Sequence, residues 1–113
     1  MTTNGDGLPR RGEVWWVRVD KRRPAIVVQT DKVRDPRVGS FLVVPLTSRL
    51  HLDGLPGNVR LSRADTRLPK PSVANVYDVQ KVLRADFARL LGSLPADRLS
   101  EVADGLRLVL DLA

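Results

Sequence analysis

A mainly β chain with a C-terminal α-helix, forming a small β-barrel on which that helix packs, is the fold class this 113-residue sequence predicts. Three observations carry it. Short runs rich in Val, Trp and Phe recur along residues 12–91, each bounded by Gly, Pro, Asp or Asn. Residues 95–112 alone place apolar side chains at the three-and-four spacing of a helix. The length suits one domain with one core, and no repeat or linker divides it.

Residues 1–9 are polar and glycine-rich and are expected to form a flexible tail, leaving 10–113 as a single domain. Residues 12–20 (GEVWWVRVD) read as the first strand, with Trp15, Val17 and Val19 on one face and Val14, Trp16 and Arg18 on the other. Lys21-Arg22-Arg23-Pro24 is a short connection, and Pro24, which cannot donate to a ladder, marks the next strand's start. That strand, 25–29, is apolar almost throughout, which predicts burial on both faces. A charged loop with an Asp35-Pro36 turn leads to a third strand over 40–46. Pro45 near its end predicts an edge or a bulge. Residues 50–57 read as a loop, 58–61 as a short strand and 63–71 as a basic loop with two prolines. Extended segments are expected over 72–76, 80–83 and 87–91. The helix over 95–112 opens on Pro95 with Asp97 and Glu101 near its positive end, and Leu99, Val102, Ala103, Leu106, Val109 and Leu110 form its apolar stripe. Gly105 inside it weakens the helix by about 1 kcal/mol relative to Ala, unless it admits another backbone.

Composition excludes several chemistries. With no cysteine there is no disulfide, thiolate nucleophile or Cys-based metal site. One histidine, His51, provides neither a His pair for acid–base work nor a zinc cluster, so the sequence predicts no metal and no cofactor. No apolar run spans a bilayer and the N-terminus has no apolar signal core, so a cytoplasmic location is expected. Net charge is +6, unevenly placed: residues 1–94 carry 17 basic against 9 acidic side chains, while 95–113 are net acidic. Fifteen of the nineteen basic residues are Arg, the better bidentate partner of phosphate. The body should attract a polyanion or an acidic peptide. A GC-rich genome would produce the same Arg bias without any such partner.

Two segments place small polar groups at strand ends: Arg23 entering the second strand and Thr47-Ser48 leaving the third. A guanidinium and a hydroxyl pair at such ends can bind a phosphate on a rigid sheet. The guanidinium stabilises developing charge and is a poor base. Asp20, Asp31 and Asp78 stand near strand ends as candidate bases, each also a common turn residue. Trp16 beside Arg18 suits base stacking and phosphate contact, or burial of Trp16 under the helix or in a subunit interface. Arg60, Arg63, Arg67 and Lys70 are a further basic stretch, either a backbone contact or a solvated face.

Taken in order, GEVWWVRVD, RRPAIVVQTD, FLVVPLTSRL, VANVYDVQKVLRADFARLLGSL and the amphipathic helix ending LRLVLDL resemble the MazF/PemK family of toxins over residues 10–112. The resemblance implies an SH3-like barrel forming a homodimer. It implies a toxin–antitoxin system in which the chain cleaves single-stranded RNA (mRNA, tRNA or rRNA) sequence-specifically, at short motifs and without metal, to 2′,3′-cyclic phosphate and 5′-hydroxyl ends. A cognate antitoxin with an acidic flexible C-terminal segment would cover the groove. By position, the family's catalytic residues fall on Arg23 and Thr47, with Ser48 beside them and Asp20 nearest to the family's acidic loop residue. RNA contacts would come from Trp16, Arg18, Arg22 and Gln29 on the first two strands and from Arg49, His51 and Gln80 beyond them. The sequence departs from the family where only Lys21-Arg22 separates Asp20 from Arg23-Pro24, a shorter loop than many members have. Two alternatives remain: a CcdB-like gyrase poison on the same barrel, and a non-catalytic SH3-like module binding nucleic acid or peptide.

Overall fold

The computed structural model describes residues 7–113, and the first six residues of the expected tail lie outside it. Pro9 is buried, and its carbonyl accepts from Arg34 Nη1 at 2.9 Å.

The described residues form seven antiparallel strands: β1 (Glu13–Arg18), β2 (Arg22–Val27), β3 (Ser40–Thr47), β4 (Val59–Leu61), β5 (Ser72–Ala74), β6 (Gln80–Leu83) and β7 (Phe87–Ser93). They are joined in the order β4-β5-β3-β2-β1-β7, with β6 also on β3. No ladder joins β4 to β7 among the described residues, so the barrel is open. A one-turn helix α1 (Arg63–Thr66) follows β4, and α2 (Ala96–Leu110) closes the chain. The expected mainly β fold with a packed C-terminal helix is thus present.

The alternation expected along the first strand holds over residues 14–17, whereas Val19 lies beyond the strand and is exposed. Val14 and Trp16 face the larger core with Ile26, Val44, Leu46, Leu61 and Val102, where Leu99, Leu106 and Val109 of α2 pack. Trp15 and Val17 face a second cluster with Ala25, Val27, Val43 and Val82. Edge-on contacts of Phe87 with Trp15 and Phe41, ring centres 5.5 and 5.6 Å apart, extend the second cluster at little cost in aromatics. The apolar run of β2 is buried on both faces because Ile26 enters one cluster and Ala25 and Val27 the other.

Four local expectations need correction. Pro45 marks neither an edge nor a bulge. β3 pairs β6 through Ser40–Val43 and β5 through Leu46–Thr47, and Pro45 sits where the partner changes. Its carbonyl accepts from Asn75 N at 3.1 Å, so the missing N–H falls on the side where no ladder partner requires it. The segment read as a basic loop contains α1, capped by Ser62 and Asp65 in reciprocal hydrogen bonds and ended by Arg67 at φ 64°. The loop over 50–57 opens on a 3-10 turn, Leu50–Gly54. On α2, Leu110 lies off the apolar stripe and is exposed, while Gly105 is buried against the backbone of Gly57. Among the described residues, no helix is long and apolar enough to cross a membrane.

Candidate active site

One register and two prolines position the site. The β2–β3 ladder pairs Val27 with Val43, Ile26 with Val44 and Ala25 with Pro45, and ends there. Continued by two residues, the same register sets Arg23 across from Thr47. Instead of a ladder pair, that level holds an open polar cleft of about 450 Å³. Lys21, Arg23, Pro24, Pro45 and Leu46 line one part of it, with Thr47, Ser48, Arg49, Leu52, Asn75 and Asp78 around the rest. The backbone level at which the strands part therefore brings together the guanidinium and hydroxyls that the sequence singled out.

Each group is held. Asp20, in the three-residue turn before β2, accepts from Arg23 Nε at 3.3 Å and from Nη2 at 3.5 Å. The Arg23 guanidinium, then the Lys21 N–H, keeps the Asp20 carboxyl below the ordinary carboxylate range. The two hydrogen bonds hold the Arg23 guanidinium against the turn. Thr47 Oγ1 accepts from Arg49 N at 3.2 Å, which fixes the hydroxyl at the strand end. Asp78 is the one carboxylate among the residues lining the cleft, and Gln80 Nε2 donates to its Oδ2 at 2.9 Å. Gln80 thereby reaches the site through Asp78.

Asn75 carried no signal in the sequence. Its Oδ1 accepts from Asn58 Nδ2 and from Tyr77 N, both at 3.3 Å. A backbone donor at Oδ1 fixes which way the amide faces. No described residue accepts from Nδ2, which leaves that donor available in the cleft. Asn58 in turn donates to Leu52 O at 3.0 Å and accepts from Val76 N at 2.9 Å, so one side chain ties the 3-10 turn to the site wall.

Next to the cleft is a smaller apolar hollow of about 220 Å³, sharing Pro24, Leu46, Thr47 and Ser48 with it. Trp16, Leu68, Pro69, Lys70, Pro71 and Ser72 complete its walls. The Arg22 guanidinium lies over the Trp16 ring, 5.2 Å from its centre. Trp16 therefore packs on the core and also lines a recess.

Other expected site residues are placed elsewhere. Arg18 is exposed opposite Arg22 at the end of the first hairpin. Gln29 accepts from Leu42 N at 3.1 Å and braces β3. His51 is exposed on the 3-10 turn, outside both recesses. Asp31 accepts from Arg11 N at 2.9 Å and pairs with Arg34, away from Arg23. Arg60 pairs with Asp53 at 3.4 Å. Among the described residues no group of three or more His, Cys, Asp or Glu side chains converges on a point where a metal would bind.

Known proteins share this arrangement of strands. The family described as PemK-like, MazF-like toxin of type II toxin-antitoxin system matches residues 10–110. Endoribonuclease MazF6 of Mycobacterium tuberculosis is 36% identical over 110 residues, covering 90% of this chain and 96% of the relative. The solved Mycobacterium tuberculosis toxin MazF-mt6 superposes with a TM-score of 0.78 at 26% identity, over 89% of this chain and 98% of that one. MazE-MazF from Deinococcus radiodurans (Form-II) gives 0.75 at 26%, over 94% and 98%. A family match across nearly the whole domain, a relative aligned almost end to end and the same fold in solved toxins agree: the chain belongs to the PemK-like, MazF-like toxins of type II toxin–antitoxin systems.

Proposed function

We propose that this chain is the toxin of a toxin–antitoxin pair and a metal-independent endoribonuclease, acting on single-stranded RNA in the cytoplasm as a homodimer. The observation that carries the reading is the convergence of Arg23, Thr47 and Asp78 on one cleft between strand ends. The 2′-oxygen attacks the adjacent phosphorus while Asp78 takes its proton. Arg23 and the Thr47 hydroxyl hold the non-bridging oxygens as charge grows on them, with Ser48 and Lys21 beside them. The P–O5′ bond breaks, the leaving oxygen takes a proton from water, and the products are a 2′,3′-cyclic phosphate and a 5′-hydroxyl. No step draws on a metal or cofactor.

The matched relative is named an endoribonuclease, which favours RNA cleavage over the gyrase-poison and binding-module alternatives. The Deinococcus radiodurans relative was solved as MazE-MazF, which supports an antitoxin partner here too. A body with 17 basic against 9 acidic side chains over residues 1–94 suits an acidic flexible segment of that partner.

The test is cleavage of a mixed RNA pool in EDTA with chemically mapped ends. Wild type should leave 5′-hydroxyl ends; Arg23→Ala should cut at least about a hundredfold more slowly, and Asp78→Asn should also be slow. Equal activity in wild type and Arg23→Ala would remove Arg23 from the reaction. A folded wild type that leaves the pool intact would return weight to the two alternatives.

A further inference from the structure

Asp78, the carboxylate read above as the base, does not stand on a strand. It ends a turn over residues 75–78, between β5 and β6, closed by the Asp78 N–H donating to Asn75 O at 3.2 Å. The start of the turn is fixed to β3, where Asn75 N donates to Pro45 O at 3.1 Å. Among the described residues, its other hydrogen bonds to a distant segment run to residues 56–58. Val76 N donates to Asn58 Oδ1 at 2.9 Å, Asn58 Nδ2 to Asn75 Oδ1 at 3.3 Å and Tyr77 OH to Pro56 O at 2.5 Å. That segment is in turn backed by α2, main chain against main chain. A Cβ on Gly57 would stand 3.2 Å from Gly105 O.

We propose that Asn58 is a positioning residue for RNA cleavage: it braces the turn that presents Asp78, and α2, through Gly57, backs the brace. The proposal rests on the endoribonuclease reading above. Arg23 and Thr47 stand at the ends of β2 and β3 and are placed by the register of that ladder. Asp78 has no ladder of its own, so its place follows from whatever holds the turn. The Asn58 amide suits that task, because its oxygen and its nitrogen bond two consecutive residues, Val76 and Asn75. The same nitrogen donates to Leu52 O at 3.0 Å, in the 3-10 turn that also lines the cleft. A proton passes only when the base oxygen comes within about 3 Å of its donor, and a displacement of about 1 Å can cost about a hundredfold in rate. Loss of the brace should therefore fall on the chemical step. Substrate binding, which the cations of the cleft supply, should be spared.

The experiment measures kcat and KM on a short single-stranded RNA for wild type, Asn58→Ala and Tyr77→Phe, each also combined with Asp78→Asn, together with amide hydrogen exchange. Asn58→Ala is expected to lower kcat at least about tenfold with KM within about twofold, and Tyr77→Phe to lower kcat about threefold. In the Asp78→Asn background neither should slow the residual cutting by more than about twofold, since misplacing a base already removed costs nothing. The Asp78 N–H should exchange faster in both variants, and the amides of β2 and β3 no faster. An equal loss with and without Asp78, a rise in KM alone or full activity in both variants would overturn the proposal. Full activity of Asp78→Asn by itself would do the same, by removing the base that the turn presents. So would unchanged exchange at Asp78, even if RNA is cut. Tyr77 is exposed, so Tyr77→Phe leaves the core intact and decides the question if Asn58→Ala does not fold. If wild type cuts no RNA, the cleavage reading fails alone, and faster Asp78 exchange in both variants would still support the brace.

Discussion

Arg23 and Asp20 face each other in a hairpin turn where both remain open to solvent, with side chains 42% and 70% exposed. The pair's worth lies in where it holds the guanidinium. Because the Asp20 carboxyl is more acidic folded than unfolded, its stabilising effect is complete above the usual carboxylate range. It is lost as pH falls through the lowered folded value. Melting curves of wild type and Asp20→Asn should therefore differ at neutral pH and converge in strong acid; a gap that widened in acid would contradict the pairing. Asn75 gives a second test at this scale. Asn75→Asp keeps the Oδ1 acceptor for Asn58 and Tyr77 and replaces the amide by a negative oxygen on a residue that lines the cleft. The variant should melt within a few degrees of wild type yet cut RNA at least about tenfold more slowly, as expected where a donor becomes a repelling charge. Full activity would take Asn75 out of the site. The sequence pointed to Arg23 and Thr47 because Arg-Pro and Pro-Leu-Thr-Ser sit at strand ends, but nothing in it marked Asn75. Its Oδ1 is held by the Tyr77 N–H and by Asn58, 17 positions earlier, and only the folded chain brings Asn58 to it.

Most strands were legible because Val and Trp alternate between two cores, a period that survives without knowing the sheet order. The sequence could not show that β3 changes partner at Pro45, since a proline reads as an edge until two different strands are seen to share one side. Nor was α1 evident: four residues hold less than two turns of periodicity, and its sign was the local pair Ser62 and Asp65. Gly105 shows the opposite case, where the weak position in a helix has a definite use. A Cβ there would stand 2.0 Å from the carbonyl oxygen of Gly57, which itself has φ +93°. Intrinsic propensity favours Gly105→Ala by about 1 kcal/mol, but that overlap with main chain must move α2 off the 57–59 segment. The overlap should win, and Gly105→Ala should lose about 1–3 kcal/mol in denaturant unfolding. A neutral or stabilised variant would show that the helix can slide without loss.

On the scale of the whole molecule, charge decides which polymer can approach and the open barrel decides where it lies. Lys21, Arg23 and Arg49 line the cleft and Lys70 the adjoining hollow, while the net acidic segment 95–113 forms the helix packed on the core elsewhere. A placement of cations along both recesses favours a functional basic surface over an Arg-rich composition inherited from the genome, and salt dependence separates the two. Four cations on one path of single-stranded RNA release counterions with a slope of about −2.8 in log affinity against log salt. Raising salt from about 50 to about 200 mM should then weaken binding of an uncleavable oligonucleotide about fiftyfold. Lys70→Ala should flatten the slope by about 0.7, while removing a cation outside the recesses, as in Arg107→Ala on α2, should leave it unchanged. If both variants flatten it equally, RNA is held by overall charge and the cleft does not define its path. If neither does, the basic composition has no part in RNA binding at these sites, and the genome alone accounts for it.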